Sequence, residues 1–252
     1  MEEHPSFPQP NNTEIKVWRY MDLSKFAALI QSSQLFYARA DNLGDKFEGS
    51  FPRMNVTIGR QQLADFFRSG SPETSEDKIA EFLEIMSKTK RAAREYIYVN
   101  CWHANEAESA AMWRLYAKSS DAVAIQSRYS LLYKQMPDRV YLGEVTYGDY
   151  ETIGVHEGNT FNAFMLKRDS FAHEREVRSM MMCHSSTETL PGRTHRIGGG
   201  MALDVDLNWL LEKIFVSPDA PDWFYQVVSD LSKKYGLAAP VHQSSLASEA
   251  LF

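Results

Sequence analysis

The sequence predicts an α+β fold in which a split, mostly antiparallel mixed sheet is flanked by helices. Three observations carry this. Strand-like and helix-like segments alternate without the regular βαβ repetition of a doubly wound fold. Two segments, 139–150 and 173–184, alternate apolar and polar residues with the period of a half-buried strand. No linker interrupts the chain, so residues 15–252 read as a single domain behind a loose, polar lead-in at 1–14.

The elements follow in order. Residues 15–21 (IKVWRYM) are β-branched and aromatic and read as a strand. In 22–35, Leu23, Phe26, Ala27 and Ile30 recur at helical spacing behind Asp22, a good N-cap. Residues 35–41 return as a strand, and 42–52 carry the Asn, Gly and Asp of a loop. The stretch 60–97 is helical by composition, with acids near its second start and Lys and Arg at its end, and reads as a helical insertion. A strand at 97–103, a helix at 105–119, a strand at 122–127 and a short helix at 129–136 come next. After the long strand at 139–150, residues 159–171 read as a helix and 173–184 as a strand. The remainder is a turn-rich connection at 185–200, a strand at 201–207, a short helix running into a strand, a helix at 219–237 ended by Gly236, and a last strand from Pro240.

Composition excludes several classes. Of 252 residues, 44% are hydrophobic and 24% charged, which is too apolar for a disordered chain. Thirteen Gly and ten Pro are too few for a fibrous protein. No run approaches the ~18 apolar residues of a membrane span, so no membrane partner is expected. Two cysteines make neither a disulfide framework nor a four-ligand zinc site. The first residues lack the basic and apolar regions of a signal peptide, and a cytoplasmic setting is expected. A net charge of −6 disfavours general binding to nucleic acid, though a local basic groove is compatible with it.

The common phosphate-loop, zinc-protease, hydrolase-elbow and C-x-x-C motifs are absent. Four elements carry polar chemistry instead. In FAHEREVRSM, strand alternation places Glu174 and Glu176 on one face, about 7 Å apart. Burial would raise the pKa of one and suit acid–base or cation-stabilising work. The alternative is a solvated edge strand whose acids pair with Lys167, Arg168 or Arg178. In WRYM, Arg19 suits a grip on phosphate or carboxylate, or an ion pair with an acid in 41–48. Asp41, Asp45 and Glu48 read as metal ligands or, more simply, as an Asx-rich turn. On the 105–119 helix, Trp113 and Tyr116 are core or pocket wall, and His103 with Glu106 forms a weaker polar pair.

The segments VWRYMDLSKFAALIQSSQLFYARADNLGDKFEGSF, VNCWHANEAESAAMWRLYAKSSDAVAIQ, GEVTYGDY and LKRDSFAHEREVR, in that order, resemble the bacterial domain-of-unknown-function family two-nine-seven-one. That pattern in turn resembles the ADP-ribosyltransferase fold, including its DNA- and RNA-modifying toxin branch. The resemblance implies an NAD-dependent transferase, a toxin or phage-defence effector acting on nucleic acid or protein. It makes Glu176 the catalytic acid, with Glu174 two residues before it, and maps Arg19 and Tyr20 onto the first cofactor-binding strand. Tyr37 and Trp113 are further cofactor-binding candidates. Met21 stands where the pattern often has Ser or Thr. Two other readings remain open: a non-catalytic nucleotide- or partner-binding module on the same scaffold, and a metal-dependent nuclease using Asp41, Asp45, Glu48 and His103.

Overall fold

The computed structural model describes residues 4–70, 76–116, 121–184 and 190–248. The acidic start expected at 71–75, the last residues of the 105–119 helix and part of the 185–200 connection lie outside them.

Strand β1 (Lys16–Asp22) leads into α1 (Leu23–Ser32), where the Asp22 carboxylate accepts from the Lys25 amide at 2.8 Å. Strand β2 (Gln34–Arg39) follows, then α2 (Arg53–Gly70) and α3 (Glu76–Ala92). The helical insertion thus begins earlier than expected. Next come β3 (Ile97–Ala104), α4 (Ala110–Tyr116), β4 (Ala122–Arg128), α5 (Tyr129–Gln135) and β5 (Val140–Glu144). Strands β6 (Thr146–Gly148), β7 (Leu166–Arg168) and β8 (Glu176–Met182) precede β9 (Thr194–Ile197) and β10 (Gly200–Asp204). The chain finishes with α6 (Leu207–Leu210), β11 (Lys213–Val216), α7 (Asp222–Lys234) and β12 (Val241–Gln243).

The α+β expectation holds. Among the described residues, ten strands form one sheet, ordered β12-β11-β4-β1-β3-β2-β10-β9, with β8 and β5 branching from β3. All pairs in it are antiparallel except β11 with β12. One edge of β3 pairs with β8 from Ile97 to His103. Its other edge is shared, with β1 meeting Ala104 and His103 and β2 meeting Val99 and Tyr98. The two strands therefore diverge opposite the middle of β3. Asn100 Nδ2 and Arg19 Nη2 both reach the Phe36 carbonyl there, at 2.7 and 3.4 Å.

Strand alternation gives the sheet two unlike faces. One is covered by α1, α5 and α7 over a large core that includes Val17, Met21, Tyr37, Trp102, Val177 and Phe224. On the opposite face, α4 packs Met112 and Trp113 on Trp18 and Tyr20. Further along that face, Phe161, Phe164 and Met165 pack on Ile97, Val99 and Met180. Between these two apolar patches the sheet presents Cys101, His103, Glu176 and Arg178. Cross-strand register pairs Cys101 with Arg178 and His103 with Glu176.

Four expectations are corrected. The segment 139–150 is two strands, because after Val145 the chain leaves the large sheet and β6 pairs in parallel with β7 in a separate ribbon. The segment 159–171 is not an α-helix but a 3₁₀ turn at Thr160–Phe164, then β7, then a 3₁₀ turn at Asp169–Glu174. The strand expected from 173 starts at Glu176, because Arg175 adopts a left-handed φ of 40° that breaks the alternation. The lead-in is packed: Phe7 is 3% exposed, and the Glu144 amide donates to Pro8 O at 2.8 Å. Gly143 permits this, since a Cβ there would meet Phe7 backbone at 2.8 Å.

Candidate functional site

Arg178 organises the polar centre of this second face, between the two apolar patches. It is 1% exposed, so its charge has to be met inside the protein. Its Nε donates to Glu176 Oε1 at 2.8 Å and its Nη2 to Glu176 Oε2 at 3.1 Å. Nη1 and Nη2 also donate to the two oxygens of Glu48, at 2.5 and 2.9 Å, and Nη1 to the Phe164 carbonyl. Lys167, from β7, donates to Glu174 Oε2 at 2.5 Å and to Glu176 Oε2 at 3.1 Å. Its ammonium also lies over the Phe171 ring, 4.7 Å from the centroid. Three carboxylates thus face two cations.

Burial alone would raise the Glu176 pKa, but Arg178 and Lys167 outweigh it and hold it at about 2. The acid is a permanent anion at neutral pH. The expected upward shift for a buried acid of this pair is reversed at Glu176, because the cations come with it. Desolvation opposes the charge of Lys167, yet Glu176 and Glu174 carry its pKa upward. Cys101 sits beside Glu176, and burial pushes its thiol up, reinforced by that carboxylate.

The two acids are not equivalent. Glu176 has both oxygens engaged by Arg178 and Lys167. Glu174, at the end of the 3₁₀ turn, uses Oε2 on Lys167, and its Oε1 has no hydrogen bond among the described residues. Its carbonyl accepts from His103 Nδ1 at 2.5 Å. Burial lowers the His103 pKa, so the ring is neutral, and with Nδ1–H donating, its buried Nε2 is left without a partner.

Arg19 approaches from β1. Burial lowers its pKa, and its ionisable neighbours are Cys101, Tyr37 and Tyr116, none of them a carboxylate. The ion pair with an acid in 41–48 does not form: Asp41 pairs with Arg39, Asp45 with Arg168 and Glu48 with Arg178. The guanidinium is left with a 3.4 Å contact to Phe36 O. Tyr116, 46% exposed at the end of α4, is within electrostatic reach of Arg19 on one side and of Glu174, Cys101 and Glu176 on the other. Phe36 is 46% exposed as well. Arg19, Cys101 and Tyr116 are thus neighbours at the divergence of β1 and β2, with Glu174 and Glu176 on the Cys101 and Tyr116 side of it.

The other three cofactor-binding candidates lie elsewhere. Tyr37 is fully buried on the opposite face, its hydroxyl 2.7 Å from Ser179 Oγ. Tyr20 and Trp113 form an edge-to-face pair, 4.9 Å between centroids, inside the α4 core. The Tyr20 hydroxyl accepts from the Ser109 amide at 3.0 Å, and Trp113 Nε1 donates to Glu108 at 3.1 Å. These residues support the region and do not line it. The metal-nuclease reading loses its ligands, since no group of three or more His, Cys, Asp or Glu converges on one point among the described residues.

Sequence reasoning named Lys167 and Arg178 only as surface partners and Tyr116 only as core or wall. Three stretches far apart in sequence, 17–51, 99–126 and 166–178, supply Arg19 and Glu48, Cys101 and Tyr116, and Lys167, Glu174, Glu176 and Arg178. No family model, curated protein or solved structure matches the chain. The functional reading rests on this geometry. No helix among the described residues is long and apolar enough to cross a membrane.

Proposed function

We propose that this chain is an NAD-dependent ADP-ribosyltransferase-like protein, a toxin or defence effector that modifies nucleic acid or protein. The observation that carries it is the gathering of an uncompensated Arg19 and an always-ionised Glu176 around Cys101 and Tyr116. Cleavage of the nicotinamide–ribose bond develops positive charge on the ribose. A carboxylate fixed beforehand stabilises that charge without reorganising. The excess of one negative charge in the Glu48, Glu174, Glu176, Lys167, Arg178 cluster acts in the same sense. Arg19 holds a cofactor phosphate. Tyr116 and Phe36 offer exposed rings for the nicotinamide. Glu174, with its free oxygen, takes the proton of the acceptor.

Incubation of the folded chain with labelled NAD and single-stranded DNA, RNA or protein acceptors tests this. Nicotinamide release or label transfer is expected, falling roughly a hundredfold in Glu174→Gln and in Glu176→Gln. Glu174→Gln is the safer variant, because Glu174 lies at the rim of the cluster. A folded wild-type chain that releases no nicotinamide with any acceptor overturns the reading.

The full engagement of Glu176 by Arg178 and Lys167 favours a second reading, a nucleotide-binding module without turnover. Calorimetric binding of NAD that is weakened in Arg19→Ala, with no chemistry, selects it.

A further inference from the structure

The loop at 41–51 and helices α2 and α3 enclose a separate cavity of about 680 Å³, a size suited to a small-molecule ligand. Five cations line it: Lys46, Arg60, Lys90, Arg91 and Arg94. Its three acids are already engaged. Asp41 accepts from Arg39 at 2.7 and 2.8 Å, Glu157 from Lys90 at 2.5 Å, and Glu48 from Arg178 at 2.5 and 2.9 Å. The side chains of Lys46, Arg60, Arg91 and Arg94 make no hydrogen bond or ion pair among the described residues. The Nε of Arg94 is closed off from solvent and still lacks an acceptor. Four uncompensated cations around one cavity run against a chain whose net charge is −6.

The rest of the wall is apolar, with Phe51, Val56, Leu83 and Met86. Guanidinium groups suit phosphate oxygens, and an apolar wall suits a flat heterocycle. The geometry points to a nucleoside phosphate as the ligand of this cavity, held at its phosphates by Arg94, Arg91, Arg60 and Lys46. A free nucleotide fits better than a nucleic-acid strand, because the acidic chain offers no general basic face for a polymer. This inference does not depend on the transferase reading. The two regions meet only at Glu48, which lines the cavity and clamps Arg178.

Calorimetry of the full chain at low salt tests it, with ADP, adenosine, inorganic phosphate and a short single-stranded DNA as probes. ADP is expected to bind, and adenosine and phosphate to bind more weakly. Arg94→Ala is expected to weaken ADP about tenfold or more, and so is the exposed pair R60A/R91A, which leaves the core untouched. Arg19→Ala is expected to leave ADP binding at this cavity unchanged. Absence of ADP binding overturns the proposal, as does binding that survives R60A/R91A. ADP binding lost in Arg19→Ala but kept in R60A/R91A places the nucleotide at the β1–β2 divergence, which sinks this inference and supports the transferase reading. DNA binding tighter than ADP assigns the cations to a polymer and also overturns it.

Discussion

The central sheet and the α2–α3 insertion solve the problem of burying apolar surface in opposite ways. In the sheet, β3 and β8 bury both faces, and even the charged residues of β8 are closed off: Arg178 is 1% exposed and Glu176 6%. In the insertion, α2 has no buried residue among those described and α3 has only Ile79. Phe66 stands 71% exposed and Ile85 53%. The sheet residues owe their order to many tertiary neighbours. The insertion owes its order to helix propensity, a Phe67–Phe82 ring contact and surface pairs such as Arg68 with Glu76. A charge deleted from the sheet therefore leaves a partner stranded, whereas one deleted from the insertion leaves a hydrated neighbour.

The largest effect expected from this contrast is in the cluster. Arg178→Ala strands Glu48 away from water, leaves Glu176 to Lys167 alone, and is expected to cost about 3–5 kcal/mol, read by urea unfolding. A loss below 1 kcal/mol would put the cluster on a par with the surface pairs of the insertion.

Acid is expected to act through the same residue. The folded Glu176 pKa, about 2, lies below the ordinary glutamate value of 4.5, so its contribution is complete above pH 4.5. Stability is lost as pH falls from there towards 2, because the unfolded chain takes up the proton first. In Glu176→Gln this part of the acid transition is expected to vanish, which pH-dependent melting checks.

Hydrogen exchange sharpens the comparison further. Amides of α2 and α3 are expected to exchange through local opening well before those of β3 and β8. Equal protection in both regions would mean that the insertion opens only with the sheet. The smallest effect is expected for Phe66→Ala, within about 0.5 kcal/mol of wild type, since its ring is mostly in solvent.

What could be read from the sequence was local. Asp22 and the spacing of Phe26 and Ile30 announce α1 because cap and period lie within one short segment. The strand pattern of β1, β3 and β4 is legible for the same reason. The alternation of 139–150 is real, but alternation cannot say which sheet a strand joins, and Val145 is where the chain changes sheets. In 159–171, Phe161, Ala163 and Phe164 are buried at spacings that an α-helix and a 3₁₀ turn share. The acids of the EREVR segment are legible in the sequence, but not the way they face each other. A left-handed Arg175 leaves no mark in composition, and it removes Glu174 from the strand face. The expected pairing with Lys167 and Arg178 does form, in the interior and not at a solvated edge. Glu48 could not have been foreseen as the third acid, because it comes from 130 residues away in sequence.

The two cysteines give the molecule a built-in reporter. Cys183 is sealed in the core, whereas Cys101 is half-buried where β1 and β2 part. Its raised pKa makes thiol alkylation slow, and a ligand held between Arg19 and Tyr116, as proposed, would slow it further. The alkylation rate of that sulfur, followed by mass spectrometry, is thus an occupancy gauge that requires neither turnover nor an introduced label.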